Sequence, residues 1–319
     1  MEKVELERTT CNACGSSEHV VWFSGLKDRF FQSEETYTLV RCARCSHVYL
    51  NPRPTMETLH FCYPFDYQPY VPMQSKASAR LKRYVLLREV RECVKRRRPP
   101  ARVLEIGCAR GEFLEMLRDH GYTVAGVELD QGAAERAHAR GLDVFPGTFR
   151  EAGFPKSYFD IIYMKHVVEH LPDVRETLVE ATRVLKPGGW LLVATPNINC
   201  PLVSYFRSNA SDLDIPRHLN LYTTTSLTRQ LSETGFKVVS VMHDSVPNSW
   251  VHSCRLQLEN HPWARAFFRI ENPIALFLFA PLSTTLALLN LSDRIRVWAI
   301  SSPHQALECS NDSRSLAVS

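Results

Sequence analysis

The sequence of 319 residues has no apolar segment at its amino terminus. MEKVELERTT is rich in charged residues and lacks the hydrophobic region of a secretory signal, so a cytoplasmic location is expected. The composition also lacks the bias of disordered chains, because 45% of the residues are hydrophobic and 23% are charged. No strong net charge is present, and a value of +4 does not by itself indicate nucleic-acid binding. A globular chain with room for about two domains is therefore expected.

Cysteine, in contrast, is plentiful, with ten residues. In a reducing compartment, paired cysteines more often bind metal than form disulfides. Cys11 and Cys14 form one C-x-x-C knuckle, and Cys42 and Cys45 form a second. Two such knuckles let four thiolates converge on a tetrahedral zinc ion, with Zn–S bonds of about 2.3 Å. We predict a structural zinc ribbon without an open coordination position. A redox pair or unbound thiols are the alternatives.

A helix is predicted over residues 75–98, where apolar side chains recur at helical spacing before Pro99 and Pro100. Its end carries four consecutive basic residues, Lys95 to Arg98. Cations in the last turn interact favourably with the carboxyl end of the helix dipole, so a solvated helix end explains them. Binding to anionic lipid or to nucleic acid is the alternative.

Strands and helices alternate from residue 102 onwards. RVLEIG at 102–107 and TVAGVEL at 123–129 are each followed by a helical segment, which predicts a β-α-β unit and a parallel sheet. Gly107 and Gly111 let the loop after the first strand turn sharply beneath a nucleotide-like ligand, and Glu128 lies where an acid can bind ribose hydroxyls. A dinucleotide-binding fold has a similar loop, so this loop alone does not decide the function.

The later segments make the pattern specific. VLEIGCARGEFL, VAGVELD, FDIIYMKHVVEHLPD and ATRVLKPGGWLLVATPN occur in this order, followed by HLNLYTTTSLTRQLSETGFKVV. Over residues 99–240 the chain resembles the class I S-adenosylmethionine-dependent methyltransferases, with a motif at each strand end. The resemblance implies an α/β fold with a Rossmann-like class I methyltransferase sheet. We expect this sheet to be joined to a small amino-terminal zinc-ribbon domain and a hydrophobic carboxyl-terminal insertion before the last strand.

The predicted domain boundaries follow the changes in composition. An aromatic connector with prolines ends the ribbon, and a polar segment without pattern ends the chain. We expect a zinc ribbon with its connector at 1–70, a helical linker at 71–98, the S-adenosylmethionine-binding core at 99–244, an apolar insertion with the last strand at 245–300, and a disordered tail at 301–319.

The resemblance also implies a cofactor site. Glu105 resembles the acid of the first motif, which orders the aminoacyl end of S-adenosylmethionine. Gly107 and Gly111 would admit the methionine moiety, and Glu128 resembles the ribose ligand. Ala109 departs from the family pattern, because it replaces the usual middle glycine with another small residue. The other residues expected to bind the cofactor are Cys108, Leu129, Thr148, Phe149 and Lys165.

A second departure concerns adenine. Thr148 stands where many members of the family have an adenine-binding aspartate. Backbone groups around residues 147–149 are therefore expected to hold the adenine ring instead.

His166, Glu169 and His170 spell H-x-x-E-H, which on a helix is the zinc-ligand pattern of an inverted metalloprotease. The preceding FDIIYM is β-like, which argues against a protease and places the motif at the carboxyl edge of a sheet, where ligands bind. Some quinone-pathway O-methyltransferases hold a divalent ion with E-x-x-E-H at this place, and His166 departs from that pattern. His166 is a candidate general base, with a structural or cofactor-stacking role as the alternative. Glu169 and His170 are expected to organise the loop.

An insertion at 200–220 follows the fifth predicted strand. Its Asp214, Arg217 and His218 resemble a D-x-P-x-H-L signature of zinc-ribbon methyltransferases from bacterial glycan and natural-product clusters. The resemblance makes His218 a second catalytic candidate, and the alternative is that these residues tie down a lid loop. The chain lacks the Asn/Asp-Pro-Pro-aromatic motif of enzymes that methylate exocyclic base amines.

The stretch from Asn272 to Ser292 contains no charged residue. Its length could span a bilayer. Pro281 interrupts it, however, and SDRIRVWAI after it resembles the last strand of the fold, which must return to the same sheet. A helical hairpin or lid and a peripheral membrane contact are both favoured over a span.

These features predict methyl transfer from S-adenosylmethionine to a small molecule, a sugar or a lipid-linked glycan, by a cytoplasmic enzyme with a candidate contact to the inner face of the membrane. The expected cofactors are S-adenosylmethionine and structural zinc. Nucleic acid is not favoured as a partner. An RNA methyltransferase that uses the ribbon and the Lys95–Arg98 run, and a non-catalytic cofactor-binding protein, are the alternatives.

Overall fold

A computed structural model describes residues 4–29, 31, 35–63, 76–244 and 246–302 of the chain. The amino-terminal part is built from short strands, β1 (Leu6–Glu7), β2 (His19–Lys27), β3 (Thr36–Cys42), β4 (Val48–Leu50) and β5 (Arg53–Pro54). β2, β3 and β4 lie side by side in antiparallel order, and β1 pairs with β5. A two-residue strand from much later in the chain, Asn220–Leu221, extends this sheet beyond β4.

The helix predicted over 75–98 is present as α1 (Lys76–Arg96). It packs on the core, because Val90 and Cys93 lie in one buried cluster with Val103 and Trp298. Its guanidinium at Arg96 lies 4.6 Å from the ring centre of Trp298. The segment expected to act as a linker therefore contributes to the packing of the core.

The remaining elements form the core and its insertions. They are β6 (Arg102–Ile106), α2 (Glu112–Asp119), β7 (Thr123–Glu128), α3 (Gln131–His138), β8 (Val144–Pro146), β9 (Phe159–Lys165), α4 (Val174–Val184), β10 (Leu185–Pro196), α5 (Pro201–Phe206), β11 (Asn220–Leu221), α6 (Thr224–Glu233), β12 (Phe236–Asp244), α7 (Asn248–Gln257), α8 (Pro262–Phe267), α9 (Pro273–Leu288) and β13 (Arg294–Ser301).

Seven of these strands form one sheet in the order β12-β13-β10-β9-β6-β7-β8. Strand β13 runs antiparallel to both of its neighbours, β12 and β10, and the other neighbouring strands of this sheet are parallel to each other. The chain moves from β6 towards β7 on one side and returns through β9 on the other, so the strand order reverses between β6 and β9. In open α/β sheets this switch point, at the carboxyl ends of the strands, is where ligands bind. The predicted Rossmann-like sheet is confirmed.

The sheet is covered on both faces, which explains its continuous apolar strands. In β9, Ile161 belongs to the cluster under α1 and α2, while Ile162 belongs to the cluster under α4 and α6. Both side chains are fully buried. At the carboxyl end of this strand the chain leaves the covered region, and polar side chains begin at Lys165.

The uncharged stretch forms helix α9, which packs on α7. Its exposed side includes Phe277 and Leu288, which are 77% and 80% exposed. No helix in the described ranges is both long enough and apolar enough to cross a bilayer. The strand predicted behind it is β13, and this strand ends at Ser301, inside the range expected to be a tail. Residues 64–75 of the connector and 303–319 of the tail lie outside the described residues.

Candidate active site and metal centre

Two glycines shape the loop after β6. Gly107 and Gly111 have φ values of +71° and +73°, which side chains rarely adopt. A Cβ atom on Gly107 would lie 2.6 Å from Cγ2 of Val167, and one on Gly111 would lie 2.3 Å from Cδ1 of Leu142. Neither position can carry a side chain without displacing its neighbours. The loop therefore presents backbone at the switch point, as binding of a nucleotide-like group requires.

Glu128 at the end of β7 faces this loop. Its carboxylate accepts hydrogen bonds from the backbone N–H of Ala109 at 2.7 Å and of Asp130 at 2.9 Å. The side chain is buried, and burial raises its pKa. Two backbone donors fix the carboxylate, and a carboxylate has further lone pairs for other donors. Glu128 therefore lies beside the glycine loop, and its role as the ribose ligand stays a prediction.

Glu105 in β6 has a buried carboxylate with an unused oxygen. Its Oε2 atom has no hydrogen-bond partner among the described residues. Burial, reinforced by the nearby Glu89 carboxylate, raises the pKa of Glu105 well above its usual range. Lys165 makes its ion pair with Glu89 and not with Glu105. A buried acceptor without a donor is costly, so this oxygen fits a site for a ligand amino group. The residues present thus fit S-adenosylmethionine.

The other predicted cofactor residues lie near the same edge. Leu129, directly after β7, is 66% exposed and offers apolar surface. Thr148 donates from its backbone N–H and its hydroxyl to Oε2 of Glu151, at 2.8 and 2.7 Å. Phe149 and Cys108 are buried, and burial raises the pKa of the Cys108 thiol. Cys108 therefore packs as a small apolar residue.

His166 begins the loop after β9 and has a φ of 55°, which is uncommon for a side-chain-bearing residue. Its Nδ1 atom lies 3.0 Å from Oε1 of Glu169. The other carboxylate oxygen of Glu169 accepts from the Thr195 hydroxyl at 2.9 Å. Burial favours the neutral form of Glu169, but the hydrogen bond and charge of His166 outweigh it and hold the pKa of this carboxyl at about 2. Burial lowers the pKa of His166.

The H-x-x-E-H motif does not lie on a helix. His166 follows β9 directly, and residues 168–170 form a turn. The two histidines therefore do not have the one-turn spacing that an inverted metalloprotease site requires. The structure agrees with the sequence argument against a protease.

His170 and His218 lie together near Glu169, with ring centres 4.8 Å apart. The Nδ1 atom of His170 is 3.0 Å from the carbonyl of Arg217, and that of His218 is 2.9 Å from the carbonyl of Asp212. Burial and the neighbouring imidazole lower the pKa of His170 to about 4. A neutral imidazole that donates from Nδ1 keeps a lone pair on Nε2.

The ligand atoms of Glu169, His170 and His218 lie within 4.8 Å of one another and form a second group, besides the four cysteines, that could hold a metal ion. His166 is bound to Glu169 and is not part of this group. The set therefore differs from the E-x-x-E-H arrangement, whose first position corresponds to His166.

Two buried acids near His218 were missed by the sequence argument. Asp212 accepts from the hydroxyl of Ser249 at 2.9 Å. Burial and the nearby Asp293 carboxylate raise the pKa of Asp212 to about 7, and burial also raises that of Asp293. Because 80 residues separate Asp212 from Asp293, no sequence motif indicated that the two acids lie close together. Asp212 borders a gap too narrow to admit water, together with residues from β10, β11 and the flanking loops: Glu169, Thr195, Pro196, Ile198, His218, Asn220 and Leu221.

Asp214 and Arg217 have a structural position. The fully buried guanidinium of Arg217 forms ion pairs with Asp214 at 2.9 Å and with Asp28 of the ribbon at 3.1 Å. It also donates to the carbonyl of Cys62 at 2.7 Å. These contacts fasten the insertion to the amino-terminal part and favour the tie-down role over a chemical one for this pair.

The four knuckle cysteines converge. The Sγ atoms of Cys11 and Cys45 are 3.5 Å apart, as are those of Cys14 and Cys42, and all four lie within 4.8 Å of one another. These separations exceed a disulfide bond of about 2.05 Å. They fit tetrahedral coordination with Zn–S bonds of about 2.3 Å.

The fold and this site define the class I S-adenosylmethionine-dependent methyltransferases. A family model described as a methyltransferase domain matches residues 77–241, which is more than half of the chain. The chain belongs to this family, and the resemblance found in the sequence is confirmed.

Curated relatives are similar over part of the chain. A probable S-adenosylmethionine-dependent methyltransferase of Mycolicibacterium smegmatis is 31% identical over 43% of this chain and 52% of its own length. The C-methyltransferase NovU of Streptomyces niveus is 28% identical over 44% of this chain and 33% of its own length. A ubiquinone biosynthesis O-methyltransferase of Bradyrhizobium is 38% identical over 31% of this chain and 41% of its own length. The chain thus spans between a third and about half of these relatives.

Proposed function

We propose that this chain is an enzyme that transfers a methyl group from S-adenosylmethionine to an acceptor that loses a proton. The observation that carries the proposal is Oε2 of Glu105, which has no hydrogen-bond partner among the described residues. It lies beside the glycine loop, on the same sheet edge as the His166–Glu169 pair. When bound, the cofactor supplies a sulfonium-activated methyl carbon. Glu105, Glu128 and the backbone of the loop would hold its aminoacyl and ribose parts.

His166 is the proposed general base. Glu169 holds Nδ1 of the imidazole, so Nε2 remains to take a proton from an acceptor. A carboxylate that stays ionised also stabilises the imidazolium that forms. His218 is the second candidate for this role, and Asp212 holds its Nδ1 through a backbone carbonyl. Both named transfer types among the relatives, to carbon and to oxygen, are compatible with proton removal.

We also infer that the four knuckle thiolates hold one structural zinc ion. The support is the convergence of the four sulfur atoms and their limited exposure, since Cys11, Cys42 and Cys45 are buried and Cys14 is half-buried. Bound zinc would fix the two knuckle turns and thereby the positions of the neighbouring residues Asn12 and His47.

The acceptor class is a proposal that rests on an apolar groove. This groove, of about 340 Å³, is lined by Pro201, Tyr205, Phe206, Trp250, Cys254 and Phe279. Helix α7 contributes to both places, because Ser249 binds Asp212 while the adjacent Trp250 lines the groove. The groove also borders α9, whose exposed apolar residues favour a lipid surface. We therefore propose an acceptor with an apolar part, such as a lipid-linked glycan, over a fully polar one.

The RNA alternative gains no support from the basic run. Lys95 pairs with Glu92 at 2.7 Å, Arg96 pairs with the same carboxylate, and Nε of Arg97 lies 3.7 Å from Asp160. Three of the four cations therefore already face a carboxylate, which reduces the positive charge that the run offers to phosphate groups.

Transfer of radiolabel from S-adenosylmethionine to water-soluble and lipid extracts tests the proposal. We expect labelled product with the wild-type chain and a loss of at least tenfold with His166→Ala, while cofactor affinity stays within about twofold. A wild-type chain that binds the cofactor without transfer to any fraction would favour the non-catalytic alternative. Label in the RNA fraction alone would favour the RNA alternative.

A further inference from the structure

Asn220 joins the cysteine knuckles to the loop that carries the proposed base. Its side chain is fully buried. The Oδ1 atom accepts from Nδ2 of Asn12 at 3.0 Å and lies 3.2 Å from Nε2 of His47. The Nδ2 atom donates to the carbonyl of Leu171 at 2.7 Å. The Asn220 side-chain amide therefore accepts hydrogen bonds from the ribbon and donates one to the loop that carries His166.

Both ribbon partners are carried by the knuckles. Asn12 lies between Cys11 and Cys14, and His47 follows Cys45 by two residues. The buried carboxamide oxygen is an acceptor only, so Nε2 of His47 must be the donor. The positions of both donors thus depend on the turns that the cysteines form.

The backbone around Asn220 holds the other side. The N–H groups of Leu219 and Asn220 donate to the carbonyl of Glu169, at 2.7 and 3.0 Å. The carboxylate of the same Glu169 binds His166. Arg53 of the ribbon donates to the carbonyl at the end of this loop, at 2.8 Å. Neighbouring parts of β11 and the ribbon therefore determine where the His166–Glu169 pair lies.

We propose that Asn220 is a positioning residue for methyl transfer, through which the zinc ribbon sets the location of the acceptor-side loop. This inference rests on the proposed function. A displacement of about 1 Å can reduce the rate of an enzymatic step by about 10²-fold. The cofactor side is held by other contacts, because the Glu128 carboxylate is fixed by Ala109 and Asp130. Loss of the Asn220 bonds should therefore affect turnover and leave cofactor binding intact.

The test is Asn220→Ala in the full chain, assayed with the acceptor that the radiolabel screen provides. We expect kcat to fall by about ten- to a hundredfold, S-adenosylmethionine affinity to stay within about twofold, and zinc to remain at one ion per chain. Hydrogen exchange in the peptide covering 166–172 should become faster. Asn220→Asp, which keeps the acceptor and loses the donor, should also lower kcat.

Gln230→Ala is the matched control. The Gln230 amide is buried and donates to the carbonyl of Asn12 at 3.4 Å, on the same knuckle, but its described hydrogen bonds do not reach the site loop. It should keep kcat within about twofold of wild type. Equal losses of kcat in Gln230→Ala and Asn220→Ala would overturn the inference, because the effect would then not depend on the hydrogen bond from Asn220 to the site loop. Should Asn220→Ala not fold, Asn12→Ala provides the same measurements with one ribbon donor removed.

The outcomes separate this inference from the proposed function. Wild-type transfer together with an equally active Asn220→Ala variant overturns only the positioning role. A wild-type chain without transfer overturns the proposed function, and unchanged exchange at 166–172 in Asn220→Ala then overturns the structural link as well.

Discussion

Oε1 of Glu169 lies 3.0 Å from Nδ1 of His166, across a turn and not along a helix. The pair therefore lies at the carboxyl end of β9, where the chain turns away from the sheet. A carboxylate that remains ionised raises the proton affinity of the imidazole it faces.

Glu169→Gln should lower the rate of methyl transfer by at least tenfold. The ionised carboxylate raises the pKa of His166 against the lowering effect of burial, so its removal lowers that pKa further. The base must be neutral, and the acidic limb of the pH–rate profile should accordingly move to lower pH. Thr195→Val, which removes only the hydroxyl bonded to Glu169, is the control and should change the rate by less than about threefold. An unmoved acidic limb in Glu169→Gln would show that His166 is not the base.

Glu128→Ala should weaken S-adenosylmethionine binding by about tenfold or more. Charge-assisted hydrogen bonds contribute about 1.5 to 3 kcal/mol, and 1.4 kcal/mol corresponds to a factor of ten. Calorimetry measures the change. Asp130→Ala is the control, because this acid caps α3 by accepting from Ala133 at 2.6 Å and should affect stability more than affinity. Equal affinities of wild type and Glu128→Ala would contradict the assignment.

Purified protein should contain one zinc ion per chain, measured by elemental analysis. Cys42→Ser should lower both the metal content and the melting temperature, since structural zinc stabilises the fold that holds it. Cys93→Ser alters a buried thiol outside the knuckles and should leave the zinc content unchanged. Metal-free protein prepared without chelator and under reducing conditions would rule the ribbon site out.

Asp212→Asn should raise the melting temperature, and by more at pH 8 than at pH 5. The folded-state pKa of Asp212 is raised to about 7, so folding takes up a proton and the acid destabilises the fold increasingly as the pH rises from about 4 to 7. The amide keeps an oxygen for the Ser249 hydroxyl and removes the charge. A shift of the melting temperature that is independent of pH would show that Asp212 ionises normally.

Phe277→Ser combined with Leu288→Ser should reduce sedimentation with anionic vesicles of phosphatidylglycerol and phosphatidylcholine. Both side chains are largely exposed, so their removal takes away apolar surface that lipid would bury at about 25 cal/mol per Å². Melting temperature and cofactor affinity should stay near wild type. Val20→Ser combined with Val21→Ser, which changes two exposed apolar residues on β2, is the matched control. Wild-type protein that stays in the supernatant would exclude the membrane contact.

Local sequence patterns predicted much of the fold correctly. The alternation after residue 102 predicted the strands and helices of the core, because the buried strands are mostly apolar and the helices that cover them have an apolar face. The C-x-x-C pairs indicated four converging thiolates, since short knuckles constrain the sulfur positions locally. The β-like segment before His166 also distinguished a strand end from a protease helix.

Other features depend on contacts between distant segments. The carboxylate of Asp212 comes under the influence of Asp293 because β13, which follows Asp293, returns to the sheet between β12 and β10. Pairing of β11 with β4 places Asn220 against the ribbon, across about 170 residues of chain. Hydrophobic periodicity along the sequence does not predict such contacts, because the intervening residues do not determine how close two distant residues lie in the fold.

By itself, the sequence determined the family, the succession of strands and helices along the core, the glycine loop and the candidate zinc ligands, because these follow from local periodicity, turn chemistry and ligand spacing. Only the tertiary structure decided that Glu169 binds His166 and Thr195 together, that Arg217 fastens the insertion to the ribbon, and that the apolar stretch ends as a helix with an exposed face. The physical reason is that hydrogen bonds and burial depend on which surfaces are in contact, and these contacts are determined by the packing of the whole chain.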